Sequence, residues 1–326
     1  MPDHAPIGPP AHRPLGRTGL SIAPLVFGGN VFGWTADRER SFALLDSFVE
    51  AGFNAIDTAD VYSVWVPGHR GGESESIIGA WLKARGRRDR VVIASKVGWE
   101  MAPDRKGLRA PYIVRAMEES LARLNTDYID LYQTHRPDPE TPIEETLGAM
   151  RTLIDQGKVR AIGASNVDAV QLSGALDAAN TAGLPAYATL QPRYNLYDRA
   201  GFEGGLQALC VERGVAAIPF SSLAAGFLSG KYRSEADLAG RARGPAVKQY
   251  LNARGQRILD ALDTVGARLG ATAAEVALAW LVAQPGVTAP IASATTTDQL
   301  AVLLRGCSLA LDAASLAQLD NASAAG

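Results

Sequence analysis

The chain has 326 residues, 47% of them hydrophobic and 20% charged, the balance of a globular protein with a large core. A formal net charge of −2 without a long basic run argues against a nucleic-acid footprint. No apolar run reaches the length that spans a bilayer, and Cys210 and Cys307, with no CxxC spacing, read as buried thiols in a reducing compartment.

Residues 1–13 are proline-rich and lack an apolar h-region, so they are expected to form a loose arm and not a signal peptide, with the cytoplasm as the expected location. Residues 14–326 are expected to form one domain. Its first piece, Pro14 to Ile22, carries turn residues between short apolar pieces and predicts a small β-hairpin. Pro24 to Phe27 is a strand that Gly28-Gly29 breaks. The helical spacing of Phe42, Leu45, Phe48 and Val49 predicts a helix over Asp37–Ala51, ended by Gly52. Ala55-Ile56-Asp57 is the next strand, and Ser74 is expected to cap a helix through Leu82.

The alternation continues with a strand at Val91–Lys96 and a helix at Pro111–Leu124, then a strand at Tyr128–His135 and a helix at Pro142–Gln156. Strands at Ala161–Ser165 and Tyr187–Gln191 precede helices at Asp168–Ala182 and Gly204–Arg213. A strand at Ala216–Phe220 leads into a long polar segment, Ser221 to about Asn252, expected to be a lid or ligand clamp. Helices at Ala253–Leu269 and Ala273–Ala283, a strand at Val287–Ile291, and helices near Asp298–Leu304 and Ala313–Leu319 complete the chain. Eight short apolar strands alternating with helices predict an α/β fold, a (β/α)8 TIM barrel with an N-terminal β-hairpin and a long loop after strand 7.

In such a barrel the C-terminal strand ends hold the site. Asp57, Lys96 and His135 end strands two, three and four, and Tyr62 follows just beyond strand two. An acid, a phenol, an amine and an imidazole at one mouth suit proton transfer to a carbonyl oxygen. A free phenol has a pKa of about 10. The Lys96 ammonium is expected to lower it, Asp57 to neutralise and orient Lys96, and neutral His135 to position the carbonyl. Each residue also has a plainer explanation: a helix-capping acid, a solvated lysine, a rim aromatic, a hydrogen-bonded core histidine. Their placement at consecutive strand ends favours the functional reading. With His4 and His12 in the arm and His69 in a glycine-rich loop, no metal centre is expected. Gly28-Gly29-Asn30-Val31-Phe32-Gly33 does not fit the G-x-G-x-x-G of a Rossmann unit, and no G-x-S-x-G supports a serine hydrolase.

The chain resembles the aldo-keto reductases, closest to their bacterial and potassium-channel-β-subunit-like branch. The resemblance rests on Gly52 to Tyr62, on Lys96, on Leu131 to Asp138, on Gly163-Ala164-Ser165-Asn166, on Gln191-Pro192-Arg193-Tyr194-Asn195 and on Gly226 to Tyr232. It implies that Asp57, Tyr62, Lys96 and His135 form a catalytic tetrad with Tyr62 as general acid. It implies NADP, with NAD as the alternative, and an aldehyde, ketone or alcohol substrate. By the same resemblance Ser165, Asn166 and Gln191 hold the carboxamide and Phe220 stacks on the nicotinamide. Ser221, Ser222, Leu223, Gly226, Leu228 and Lys231 clamp the pyrophosphate, and Ile291, Ser293, Thr295 and Gln299 read the adenosine.

Thr295 stands where many relatives carry a basic residue for the 2′-phosphate, which weakens the expectation of NADP over NAD. Arg233, Arg241, Arg243 and Lys248 lie in the long segment, where a solvated surface or a reach to the cofactor phosphates is expected. Trp34, Trp65, Trp99 and Arg136 are expected to line the substrate pocket. The function implied is an NAD(P)H-dependent carbonyl reductase, reversible as an alcohol dehydrogenase. The alternative is a cofactor-binding, redox-sensing regulatory subunit.

Overall fold

The computed structural model describes residues 10–324, so most of the expected arm lies outside the described residues. Of the arm's last residues, Arg13 starts a two-stranded hairpin, β1 (Arg13–Pro14) and β2 (Ser21–Ile22), and its guanidinium donates to the carbonyls of Val282 and Thr288.

The alternating elements then follow: β3 (Val26–Gly28), α1 (Arg38–Glu50), β4 (Ala55–Asp57), α2 (Glu73–Arg85), β5 (Val92–Val97), α3 (Ala110–Leu124), β6 (Ile129–Thr134) and α4 (Ile143–Asp155). They continue with β7 (Val159–Ser165), α5 (Ala169–Ala182), β8 (Thr189–Gln191), α6 (Gly205–Arg213) and β9 (Ala216–Ala217). After a long segment containing α7 (Gly244–Val247) come α8 (Ala253–Leu269), α9 (Ala273–Val282), β10 (Ile291–Ala292), α10 (Thr297–Ser308) and α11 (Ala313–Ser323).

The eight strands β3 to β10 form one parallel sheet in the order β10-β3-β4-β5-β6-β7-β8-β9. The sheet closes where Ala217 bridges Val287 and Thr288 N–H donates to the Ala217 carbonyl at 2.8 Å. The expected (β/α)8 barrel is the fold. Alternation along each strand divides the core. Phe27, Ile56, Ile93, Tyr132 and Ile162 face outward into the layer shared with the helices. Val26, Ala55, Val92, Ala94, Leu131 and Ala161 face inward, and Leu15 and Ile22 of the hairpin join them from the N-terminal end. The barrel is thus plugged at one end and filled with apolar side chains through its lower levels.

Local details depart from the expected pattern for identifiable reasons. The seventh barrel strand stops at Ala217 instead of reaching Phe220, because Pro192 on the neighbouring strand lacks the N–H that would link Ile218 into the ladder, which resumes only as a bridge between Arg193 and Phe220. Pro290 likewise shortens the last strand to Ile291–Ala292. α2 is capped by Gly72 in the left-handed conformation, not by Ser74. Ser74 is buried inside the first turn, where its hydroxyl donates to the Gly29 carbonyl at 2.8 Å. Asp168 caps α5 as part of a reciprocal capping box with Gln171. The long segment after β9 is folded down: Phe227, Leu228, Tyr232, Val247 and Tyr250 are buried, and the rings of Phe227 and Tyr250 stack at 5.5 Å. Among the described residues no single helix is long and apolar enough to cross a membrane.

Candidate active site

Strand register sets the site's floor. Asp57, the last residue of β4, pairs with Ala94 of β5. Lys96 lies two residues further along β5 on the same inward face, and Gln133 of β6 pairs with it. Gln191 ends β8 opposite Ser165. Asp57, Lys96, Gln133 and Gln191 therefore form a buried polar level directly above the apolar interior.

Isolated, each would be costly to bury; together they satisfy one another. Lys96 Nζ donates to Asp57 Oδ2 at 2.6 Å, to the Thr58 carbonyl at 2.8 Å and to the Tyr62 hydroxyl oxygen at 2.7 Å. Asp57 Oδ1 accepts from Gln191 Nε2 at 2.9 Å and from Gln133 Nε2 at 3.4 Å. The ammonium thus makes three contacts with geometry that supports its charge. Burial pulls the Lys96 pKa down, and Asp57 opposes that pull.

Tyr62 stands on the turn after β4. The turn is pinned by Ser63, which takes a left-handed φ of 74° and donates its hydroxyl to the Phe32 carbonyl at 2.8 Å. The phenol's pKa does not fall, as the nearby lysine led us to expect. Burial pushes it well above its ordinary value, and the Asp57 carboxylate adds to the effect. The phenol is therefore held protonated. His135 follows β6, its N–H donating to the Val97 carbonyl at 2.8 Å. Burial, then Lys96 and Arg136, hold its pKa well below the usual histidine range, so the ring is neutral near pH 7. The rings of Tyr62 and His135 meet edge to face at 5.9 Å.

A further buried acid stands behind this group. Asp60 donates its N–H to the Lys96 carbonyl at 3.2 Å, and neither of its carboxyl oxygens has a hydrogen-bond partner among the described residues. Burial, then the neighbouring Glu75, raises its pKa well above the carboxylate range.

Aromatic side chains wall the mouth. Trp65 lies 6.1 Å from Tyr62, Trp34 lies 5.7 Å from Trp65, and Trp99 lies 5.1 Å from His135, all between ring centroids. Trp65 and Trp99 are 45% and 41% exposed, so the wall is open to solvent. Guanidiniums lie on two of these rings, Arg136 on Trp99 at 5.3 Å and Arg243 on Trp34 at 5.7 Å.

The remaining expected residues gather on the other side of the mouth. Ser165 donates to the Gln191 carbonyl at 2.9 Å, and Asn166, at a φ of 58°, donates to the His135 carbonyl at 2.9 Å. Phe220 is half-buried with the Arg193 guanidinium 5.5 Å from its ring. Ser222 spends its hydroxyl on the Ile291 carbonyl at 2.8 Å, and the Ile291 side chain packs in the barrel interior. Leu223 is half-buried and Leu228 buried against the core. Ser221, Ala224, Ala225 and Gly226 all take positive φ values, at 60°, 48°, 58° and 98°. Left-handed backbone at serine and alanine is strained, and the turn is held by the Ala224 and Gly226 N–H groups, which donate to the Ser221 and Leu223 carbonyls at 2.7 and 2.8 Å.

Ser293 donates to Asn30 Oδ1 at 2.6 Å, and the Thr295 N–H and hydroxyl both donate to Gln299 Oε1, at 2.9 and 3.1 Å. Gln299 lines a cavity of about 490 Å³ with Lys231, Tyr232 and Arg241. Of the long segment's other cations, Arg233 and Lys248 pair with Asp263 and Glu235. Gln133 escaped the sequence reading although it lies two residues before His135; the signal was strand alternation, which puts it on the inward face below that ring.

A model of the aldo/keto reductase family matches residues 24–324. The chain is 34% identical over 299 residues to a "Probable voltage-gated potassium channel subunit beta" of Oryza sativa subsp. japonica, covering 89% of this chain and 88% of that protein. It is 34% identical over 315 residues to the "Uncharacterized oxidoreductase YrpG" of Bacillus subtilis (strain 168), covering 94% of each. The "Aldo-keto reductase YhdN" of the same organism is 34% identical over 294 residues, with 87% of this chain and 83% of that protein covered. With its eight-stranded parallel barrel and a family match over nearly its whole length, the chain belongs to the aldo/keto reductase family.

Proposed function

We propose that this oxidoreductase is an NAD(P)H-dependent carbonyl reductase, reversible as an alcohol dehydrogenase. One observation carries the reading: Lys96 bridges Asp57 and the Tyr62 hydroxyl at the open end of an otherwise apolar barrel. The phenol oxygen already accepts from Lys96, and its contact with Asp57 is long at 3.3 Å. Its proton is therefore available to a carbonyl oxygen seated at the mouth. As that proton leaves, the ammonium stabilises the forming phenolate more than it did the phenol, the differential stabilisation that lowers a barrier. Neutral His135 donates to the same carbonyl oxygen and fixes its position. Asp57 is a positioning residue that keeps Lys96 charged, and Gln133 and Gln191 hold Asp57. The tryptophans around the mouth offer a surface to the apolar body of the substrate.

The residues present fit a nicotinamide nucleotide. The tight turn Ser221–Gly226, left-handed at Ser221 and at Ala224, Ala225 and Gly226, places small residues where a pyrophosphate can approach the backbone closely. Phe220 presents a ring face, and Ser165 and Asn166 stand at the end of β7, across β8 from it. Such a nucleotide supplies a hydride to the carbonyl carbon, or takes one from the alcohol. Lys231 and Arg241, on the cavity shared with Gln299, provide the positive charge that Thr295 lacks, which favours NADP over NAD. A panel of aldehydes, ketones and alcohols with each nucleotide, followed by the absorbance of the reduced nicotinamide, tests the reading. Absence of turnover across the panel rejects it.

The plant relatives named as channel subunits support a second reading, a nucleotide-binding regulatory subunit. Co-purification of a stable partner together with negligible turnover would favour it.

A further inference from the structure

The rim of the proposed pocket is an unbroken arc of ring contacts with a guanidinium at each end. It runs from Arg243 on Trp34, through Trp65 and Tyr62, to His135, Trp99 and Arg136, with successive separations between 5.1 and 6.1 Å. Neither terminal guanidinium is ion-paired with a carboxylate of the described residues, whereas Arg233 and Lys248 in the same clamp are. Arg243 is partly buried, and burial depresses its pKa, opposed only by the Tyr232 phenol and by no carboxylate. A cation held out of water without a counter-charge is costly, and an anion arriving with the ligand removes that cost. Stacking on an indole also fixes a guanidinium's plane and leaves its N–H edge free, the geometry that takes a carboxylate in two parallel hydrogen bonds.

Building on the reductase reading, we propose that Arg136 and Arg243 are specificity residues selecting carbonyl substrates that carry a carboxylate on a flat apolar body. The carbonyl end reaches Tyr62 and His135, the body lies against the tryptophans, and the carboxylate meets the guanidiniums at the rim. The shared chemistry is an anion at the rim, and the cofactor's phosphates are its other possible source.

The test compares 4-formylbenzoate with its neutral isostere 4-formylbenzamide on the full-length wild type, Arg136→Gln, Arg243→Gln and the double variant. Wild type should show kcat/KM about tenfold or more higher for the benzoate, with the difference in KM. Each single variant should lose part of that preference and the double variant all of it, with kcat/KM for the benzamide falling by a much smaller factor than that for the benzoate. Cofactor dissociation constants, read from the fluorescence of the reduced nicotinamide, should not move. Equal kcat/KM for the two aldehydes on wild type overturns the proposal. So does an equal loss for both aldehydes accompanied by weaker cofactor binding, which assigns the guanidiniums to the nucleotide phosphates. If neither aldehyde turns over, the reductase reading fails on its own terms. Quenching of the rim tryptophans' fluorescence then decides the inference: benzoate binding that the double variant abolishes sustains it, and equal affinity for the two ligands ends it.

Discussion

Lys96 donates to the hydroxyl oxygen of Tyr62 at 2.7 Å while the same Nζ lies 2.6 Å from Asp57. A lysine usually suggests an acidified phenol. Here burial and Asp57 push the phenol's pKa up, so in the proposed reaction the ammonium acts on the forming phenolate and not on the resting acid. Tyr62→Phe, which removes the proton and keeps the ring, should lower carbonyl reduction by about 10²–10⁴-fold. Nucleotide affinity, measured by fluorescence titration, should stay near the wild-type value. Wild-type rates in the variant would show that Tyr62 is not the acid.

Asp57→Asn removes the counter-charge of a fully buried lysine and sets an amide against the Gln191 amide. Breaking one side of a buried pair costs about 3–5 kcal/mol. The midpoint of urea unfolding should fall accordingly, and Asp57→Asn combined with Lys96→Met should recover part of the loss. A single variant as stable as wild type would mean that the pair contributes little to the fold.

Cofactor choice should depend on the clamp. Arg241→Ala should weaken NADPH binding by roughly tenfold, the size of one charge-assisted contact, and leave NADH nearly unchanged, while Lys231→Ala should weaken both and NADPH more. Thr295→Arg should shift preference further toward the phosphorylated nucleotide. Unchanged NADPH-to-NADH affinity ratios in all three variants would move the adenosine site elsewhere.

Asp60 gives a pH signature. Unfolded, its carboxyl ionises near the ordinary 3.8; folded, burial raises that value. The native state therefore holds the proton longer than the unfolded state does. Its contribution to stability is fully present below 3.8 and is lost as pH rises through the folded pKa. Asp60→Asn cannot ionise, so its thermal midpoint should exceed that of wild type at pH 7, and the gap should close toward pH 4. A gap independent of pH would assign the effect to packing instead.

Much of this was legible in the sequence because the chemistry sits where local patterns end. Asp57, Lys96 and His135 each terminate or follow an apolar strand run, and such ends converge in a closed parallel barrel. Gln133 was hidden inside its strand, where only the register with Lys96 gives it meaning. The cap of α2 was misread because Ser74, a good capping type, was needed inside to satisfy the Gly29 carbonyl. The direction of the Tyr62 shift depends on how deeply three charges are buried together, a property of packing. Arg241 and Gln299 come from distant parts of the chain and meet only once the clamp folds down.

The hairpin beneath the barrel has one more consequence. Leu15 and Ile22 close the N-terminal end beneath the apolar levels of the barrel interior. In the proposed reaction, once Tyr62 has given its proton to the carbonyl, the open mouth is the way in for the replacement. Recharging of the acid is thereby tied to departure of whatever fills that mouth, so each turnover resets only when the doorway clears.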